Sequence, residues 1–369
     1  MPVAPRPEIS IVIKALNEEK HIAAAIESAL AALDGLNGEV ILADSASSDR
    51  TIEIARQYPI RIVSLQKPEQ RSCGAGSQLG YQYSSGQYVC QMDGDMRLHR
   101  DYLPAAIRFL KENPAAGGVG GYNIDRELSN LEFAQRSERK DPDRGPGQVM
   151  RLNGSGVYRR AAIASIGYLT DRNLHGGEEL DLAARLHCRG WTLARLGRPA
   201  VDHYGHTGGA YRLLLHRIAS RNSFGTGEVF RAALGQPHFR FVVRNDRNLA
   251  ICLLVAAWWL AIAVAIASLH GMTALVGIAA LVLAPVLAMS LRWRSFHRGL
   301  YSVAAWNMFA LSFLPGFLRS RIPPAHWIDS TVVKEIALEH PASEQGGSPV
   351  PAMACGGAHR VRLPSSQNP

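Results

Sequence analysis

Hydrophobic and polar positions along this chain follow two rules, with the change near residue 240. In the first part, short apolar runs alternate with amphipathic stretches. Residues 9–14 (ISIVIK) are a β-branched run suited to a buried parallel strand. After the polar Asn17 and its acidic neighbours, an Ala-rich amphipathic helix is predicted over 21–33. Gly38 breaks the chain before a second strand at 39–43. A polar turn at 45–49 follows, with Asp49 placed to cap a helix over 51–57. Strands at 60–65 and 87–92 are joined by a Gly-spaced helix at 75–84. A helix at 101–113, a strand at 117–123, a helix at 178–189 and a strand at 191–195 complete the pattern. Residues 126–150, charged and rich in Pro and Gly, read as a mobile loop. This alternation predicts an α/β domain over residues 1–210, with a mostly parallel sheet and helices on both faces.

The second rule is unbroken apolarity. No charged residue occurs from 249 to 269 or from 272 to 291. Each run is long enough to cross a hydrocarbon core of ~30 Å. Residues 300–318 are a weaker third, interrupted by Pro315-Gly316, and predict either a span or a re-entrant or interfacial element. Residues 211–248 have helical periodicity and many arginines, the pattern of basic amphipathic helices on a membrane surface. The tail, 321–369, is expected to be disordered from about 340, where Pro, Gly and Ser dominate.

Charge supports the membrane reading. The chain carries a formal +9, and between 211 and 321 twelve arginines face only Glu228 and Asp246. The basic excess therefore flanks the apolar spans, where anionic headgroups attract it, and nucleic acid is not an expected partner. Two spans joined at His270-Gly271 would keep Arg240, Arg244 and Arg247 on the same side as Arg292, Arg294 and Arg298. An interfacial third element would leave Arg319 and Arg321 there too. The Pro-rich opening runs straight into a strand, without a signal-peptide pattern. The expectation is an integral protein of the cell (inner) membrane with its first domain in the cytoplasm. Five cysteines (Cys73, Cys90, Cys188, Cys252, Cys355) show no CxxC pairing or metal spacing, which suits a reducing compartment.

In an open α/β sheet, ligands bind beyond the carboxyl ends of the strands. Three such ends are acidic here: Asn17-Glu18, Asp44, and Asp93-Gly94-Asp95. Alone, each could be a turn or a cap. Two carboxylates flanking one glycine can also share a Mg²⁺ or Mn²⁺ ion that takes its remaining oxygens from phosphates. At 177–182, Gly-Glu-Glu-Leu-Asp-Leu opens a helix whose dipole favours its acids. A plain charged helix start is the alternative, and Asp181 with Arg185 has the spacing of an ordinary i, i+4 ion pair.

The ordered segments ISIVIKALNEEKHI, ILADSASSDRTIEIA, VCQMDGDM and GGEELDLAARLHCRGW resemble the family 2 glycosyltransferases of GT-A fold, over about residues 8–210. The resemblance implies that Ala15, Asn17 and Glu18 line a nucleotide pocket. It implies that Asp44 contacts the base beside Ser47, and that Gly74 and Gly76 form a loop beneath the nucleotide. Asp93 and Asp95 would hold Mn²⁺ or Mg²⁺ on the diphosphate. The acidic pair at 178–179 would supply the base, with Glu179 standing where Asp is usual and Glu178 as the alternative. Asp181, His203 and His206 are weaker candidates for acceptor or diphosphate contacts, and each histidine has a structural reading as well. Lys14-Ala15-Leu16 stands where Pro-Thr-Tyr is common. The Gln-x-x-Arg-Trp motif of processive synthases is absent, which implies transfer of one sugar. The implied partners are a nucleotide-sugar donor, UDP-linked as the first choice, membrane lipids, and a lipid-linked or polysaccharide acceptor.

Rival readings are weaker. A dinucleotide oxidoreductase needs a glycine-rich turn after the first strand, and 15–19 holds no glycine. A transporter needs polar residues inside its spans, and Asn307 is the main one. A non-catalytic membrane scaffold with a degenerate transferase domain stays open, because Glu179 replaces the usual residue.

Overall fold

The apolar run at residues 9–14 becomes the centre of the protein, because alternation along it feeds two cores at once. A computed structural model describes residues 6–127, 131, 135, 138, 145–205 and 208–336. In chain order the strands are β1 (Ile9–Ala15), β2 (Gly38–Asp44), β3 (Arg61–Leu65), β4 (Tyr88–Asp93), β5 (Met96–Leu98), β6 (Ala116–Asp125), β7 (Gly147–Val149), β8 (Val157–Arg159), β9 (Thr192–His203) and β10 (Ser330–Lys334). The helices are α1 (Ile22–Ala32), α2 (Thr51–Ala55), α3 (Cys73–Gln82), α4 (Tyr102–Glu112), α5 (Arg160–Ile166), α6 (Glu178–Cys188), α7 (Ala210–Ala219), α8 (Gly225–Ala233), α9 (Phe239–Asn245), α10 (Arg247–Ser268), α11 (Gly271–Trp293) and α12 (Phe296–Leu318).

Ile9, Ile11 and Ile13 of β1 pack with Ile22 and Ile26 of α1 and with Leu103 and Ile107 of α4. Val12 points the other way, into a second core with Leu182 and Leu186 of α6. Helices thus cover both faces, and a two-residue period decides which core receives each side chain.

The strand order is β10-β3-β2-β1-β4-β8-β6-β9-β5, with β7 beside β9. The block β3-β2-β1-β4 is parallel throughout, as the alternating pattern predicts. Beyond this block the sheet is mixed: β6 pairs parallel with β9, β8 runs antiparallel to β4 and β6, and β5 and β7 run antiparallel to β9.

The chain after the apolar helices differs from its sequence-based reading as a tail. It returns to the sheet, where β10 pairs antiparallel with β3 and Ile328 is buried with Ile41 and Leu79. Residues expected to be disordered beyond 340 lie outside the described residues, as does most of the loop predicted at 126–150. That loop's end forms β7.

α10 and α11 have 22 and 23 residues with mean hydropathies of 2.7 and 2.5, and by length and composition each can cross a membrane. α11 buries none of its residues against the protein. α12 is also long enough, at 23 residues and roughly 34 Å, and continues through Pro315. It nevertheless docks on the α/β domain at both ends. Tyr301 packs with Ala210 and Leu214 of α7, while Ser312 Oγ lies 2.9 Å from Ser223 Oγ and Phe230 of α8 meets Phe313 and Phe317. The expectation that 211–248 lies along a membrane surface is therefore corrected for α8. Its Gly225, Thr226, Gly227, Glu228 and Val229 are buried beneath α12 and against α6.

This docking depends on the absence of a side chain at Gly227, where a Cβ would sit 2.0 Å from the Phe313 carbonyl oxygen. Gly227→Ala is expected to destabilise the protein by about 1–3 kcal/mol through overpacking, visible as a lower Tm in detergent. Gly209→Ala, where φ is −57° and no atom lies within 4 Å of an added Cβ, provides a control for the general loss of a glycine.

Candidate active site

The parallel block delivers β1, β2 and β4 to one edge, and their carboxyl ends gather the acidic residues that lie far apart in sequence. The turn after β4 is pinned to β1 by the Gly94 amide, which donates to the Lys14 carbonyl at 2.9 Å. A Cβ at Gly94 would meet Glu18 Cγ at 2.9 Å and Ala15 Cβ at 3.2 Å. Glycine here lets Asp93 and Asp95 turn back over the end of β1, beside Glu18.

Five carboxylates then crowd the strand ends, and one lysine lies among them. Lys14 Nζ is 3.0 Å from Glu178 Oε1 and 3.3 Å from Asp93 Oδ1. Burial alone would lower the Lys14 pKa, but the charges of Asp93 and Glu178 outweigh it and hold the group well above its ordinary value. The remaining acids are less compensated. Burial, reinforced by the negative charges of Asp95 and Asp93, pushes Glu18 up to about 8. Burial and the neighbouring Glu178 likewise raise Glu179. His203, at the end of β9, reaches Asp125 Oδ1 with Nδ1 at 2.8 Å and approaches Asp95 Oδ2 with Nε2 at 3.4 Å.

A divalent cation fits this arrangement. Asp95 Oδ1 is buried and accepts no hydrogen bond among the described residues, and the buried Asp93 Oδ1 has only the Lys14 ion pair at 3.3 Å. The uncompensated charge that lifts Glu18 is of the sign a cation relieves. Among the described residues no group of three His, Cys, Asp or Glu side chains could hold a metal by itself. The protein would contribute Asp93 and Asp95, with substrate oxygens needed to complete the shell.

The two glutamates at the start of α6 are separated by what they face. Gly177 precedes them with φ of +80°, a left-handed conformation that glycine adopts without strain. Glu178 is buried against Lys14. Glu179 instead lines an open cleft of ≈ 640 Å³, together with Asp93, Asp125, Arg151, Arg195 and His203. Asp246, Arg247 and Asn248, where α10 begins, form another part of its wall.

The loop leading to these glutamates is held by the chain that leaves α12. Asp171, fully buried, pairs with Arg321, and Asn173 exchanges two 2.8 Å hydrogen bonds with the Ile322 backbone. Glu228 of α8 accepts from the His175 amide at 2.8 Å and pairs with Arg319 at 3.1 Å. Arg319 and Arg321, expected to face lipid, instead compensate buried acids.

Other predicted residues separate into those near the strand ends and those serving the scaffold. Asn17 adopts φ of +57° and accepts from the Ser48 amide, while its own amide donates to Ser47 Oγ at 2.9 Å. These two loops, with Ala15 at the end of β1, edge the side where Gly76 packs on Lys14 and Ser45. Asp44 is fully buried and accepts from the Ser47 amide and Ser64 Oγ, so it shapes its loop from within. Gly74 and Gly76 lie in the first turn of α3 rather than in a loop. A Cβ at Gly74 would be 2.0 Å from the Asp171 carbonyl, which makes it a packing glycine. Asp181 is buried against Arg185 at 2.8 Å, the ordinary ion pair that its spacing suggests. His206 lies outside the described residues. Sequence reasoning did not single out Lys14, Asp125, Arg151, Arg195 or the start of α10 as site residues. Only Lys14 carried a signal, a charge ending an apolar strand.

Residues 10–167 match the profile of the glycosyl transferase family 2. EpsE of Bacillus subtilis is 28% identical over 195 residues, 50% of this chain and 68% of that protein. The low-salt glycan biosynthesis hexosyltransferase Agl6 of Haloferax volcanii is 32% identical over 116 residues, covering 31% and 27%. The beta-monoglucosyldiacylglycerol synthase of Trichormus variabilis is 26% identical over 221 residues, covering 54% and 46%. The chain thus spans two thirds of the first relative and less than half of the other two. Among solved structures, the mannosyltransferase PcManGT from Pyrobaculum calidifontis, in complex with GDP-Man and Mn²⁺, superposes with a TM-score of 0.59. The identity is 17%, over 84% of this chain and 88% of that one, a likeness of fold.

Lys14→Met removes the cation shared by Asp93 and Glu178. At low pH the freed acids take up protons, whereas near neutrality they must stay charged and unpaired or remain protonated at a cost. The variant's loss of Tm relative to the parent is therefore expected to grow as pH rises from about 5 to 8. A constant difference across that range would show that Lys14 contributes packing alone.

Proposed function

From a chain that belongs to glycosyl transferase family 2 and carries the GT-A fold, we propose an inverting, metal-assisted transfer of one sugar from a nucleotide-sugar to a membrane-associated acceptor. The observation that carries this reading is the division of labour between adjacent glutamates. Glu178 is neutralised by Lys14, while Glu179 stands in the same cleft as Asp93. UDP-sugars are the first donors to test.

In this reading Asp93 and Asp95 hold Mn²⁺ or Mg²⁺, which when bound neutralises charge on the leaving diphosphate. Asn17, Glu18 and the 44–51 loop edge the nucleotide side, with Ser47 and Asn17 fixed to each other. Glu179 takes the proton from the acceptor hydroxyl as that oxygen attacks the anomeric carbon from the opposite face. Its raised pKa keeps it closer to the range in which a base both accepts and releases protons. The 3.0 Å contact with Lys14 keeps the Glu178 carboxylate directed away from the acceptor. Arg319 and Arg321 act one layer back, by fixing the loop that presents Gly177.

The same contacts support a reading of the membrane arrangement. Both ends of α12 rest on the α/β domain, and α10 starts at the cleft wall. We infer that α10 and α11 form a two-span hairpin while α12 lies at the interface. The catalytic domain then stays on the cytoplasmic side of the cell membrane, with a lipid-linked or polysaccharide acceptor reaching the cleft beside α10.

Asp95→Ala is expected to abolish Mn²⁺-dependent binding of UDP-, GDP- and dTDP-sugars by calorimetry. Glu179→Gln should retain donor binding and lower kcat by about 10²–10⁴-fold, the usual worth of a general base, with a smaller effect for Glu178→Gln. If no nucleotide-sugar binds under any metal condition, the transferase reading fails.

The raised pKa values set two pH dependences. Because Glu179 must be deprotonated, kcat/KM should fall as pH drops through a value above its ordinary 4.5. Glu18 is pushed up to about 8 without a cation, so Mn²⁺ binding should release a proton and strengthen as pH rises toward 8. Titrations in buffers of different ionisation enthalpy would count that proton.

A further inference from the structure

Lys14 is fixed in place as well as in charge. It is the direct cross-strand neighbour of Asp93 in the parallel β1–β4 register, and its carbonyl accepts from the Gly94 amide at 2.9 Å. Alternation along β1 sends its side chain to the face of Val12, toward the start of α6. The stem runs beneath α3, where a Cβ at Gly76 would come within 3.2 Å of Lys14 Cβ and 3.9 Å of Cδ. Held there, the ammonium has two anionic partners in reach, Glu178 Oε1 at 3.0 Å and Asp93 Oδ1 at 3.3 Å.

These two partners are not equivalent. The Glu178 side chain is 6% exposed, whereas that of Asp93 is 34% exposed and lines the cleft. The acid that Lys14 shares with the cleft is therefore one of the two that fit a divalent cation. A cation on Asp93 would face the ammonium across a single carboxylate, and like charges at such separations repel. The protein has little to set against that repulsion. Among the described residues no group of three His, Cys, Asp or Glu side chains could hold a metal by itself. A nucleoside diphosphate supplies both missing things, oxygens for the shell and negative charge to offset the second cation.

We propose that Lys14 is an internal competitor for the metal site, so that cation and nucleotide-sugar bind together rather than in turn. Without donor, the ammonium lies on Asp93 and Glu178 and keeps the affinity for Mn²⁺ or Mg²⁺ low. With donor and cation present, Lys14 gives up Asp93 and keeps Glu178, which serves as its resting partner. The inference rests on the transferase reading above and deepens it. Lys14 becomes the residue that couples metal loading to donor loading, beyond its part as counter-ion of Glu178.

The test reads Mn²⁺ binding to the full chain in non-ionic detergent from the loss of the free-ion electron paramagnetic resonance signal. Titrations are run without nucleotide and with UDP, GDP or dTDP. In the parent, the nucleoside diphosphate that binds is expected to tighten Mn²⁺ binding about tenfold or more. Lys14→Met should tighten nucleotide-free Mn²⁺ binding about tenfold and reduce the nucleotide's effect by a similar factor. Glu178→Gln, which leaves the ammonium to Asp93 alone, should weaken nucleotide-free binding, and it tests the idea even where Lys14→Met fails to fold. Lys111→Met removes a positive charge at the opposite end of β1, where Lys111 pairs with Glu8 at 2.6 Å, and should bind Mn²⁺ like the parent. Several results would overturn the proposal and leave the transferase reading standing. These are parental Mn²⁺ affinity in Lys14→Met, an equal gain in Lys111→Met, unchanged or tighter binding in Glu178→Gln, or a parent that binds Mn²⁺ equally with and without nucleotide. If the parent binds neither Mn²⁺ nor any of the three nucleotides, the transferase reading fails with it.

Discussion

The strand ends carry a surplus of negative charge that the protein compensates only in part, and the Lys14 bridge is where it does so. A single ammonium serves Asp93 from β4 and Glu178 from α6, and thereby joins two motifs separated by 85 residues. Buried carboxylates without partners are costly. The remaining oxygens of Asp93 and Asp95, and the raised acids Glu18 and Glu179, express what that one lysine leaves undone. A site of this kind is incomplete by design of its charges. It favours binding of a cation, and it keeps a carboxylate facing the cleft with a pKa lifted toward the range useful for moving protons.

The membrane elements are part of the same machine rather than an attached anchor. α12 docks along α7 and α8 by close backbone approach at Gly227 and Gly316, and the chain beyond it clamps the 171–175 loop before returning to the sheet as β10. Arg319 and Arg321 are the physical link, since each answers a buried acid on the catalytic side. The start of α10 meanwhile forms cleft wall. The placing of the apolar helices and the geometry at Glu179 consequently depend on one continuous group of contacts.

Much of the first domain was legible because its signals are local. β1, β2 and β4 announce themselves by β-branched or apolar runs, and the Asp-Gly-Asp turn by two acids about one glycine. α6 is legible from its acidic start and apolar period. The short antiparallel strands β5, β7 and β8 were not legible, because three residues carry too little periodicity to separate strand from loop. Among the candidate residues, Asp44 and Asp181 are buried and held by partners within the scaffold, Asp44 by Ser47 and Ser64 and Asp181 by Arg185. Their sequence neighbourhoods resemble those of Asp93 and Glu179, and only burial and partners distinguish them.

By itself the sequence determined the α/β class, the family of its first domain, the apolar stretches, and the acidic ends from which the site is assembled. Those features depend on residue type and short spacing, which the chain carries with it. The tertiary structure decided which glutamate faces the cleft, that Lys14 is the counter-ion of the other, and that β10 comes from the far side of the apolar helices. It also decided that arginines suited to lipid headgroups instead neutralise Asp171 and Glu228. These outcomes depend on contacts between positions as far apart as Ile62 and Lys334, where packing and charge compensation, rather than any local pattern, select the partner.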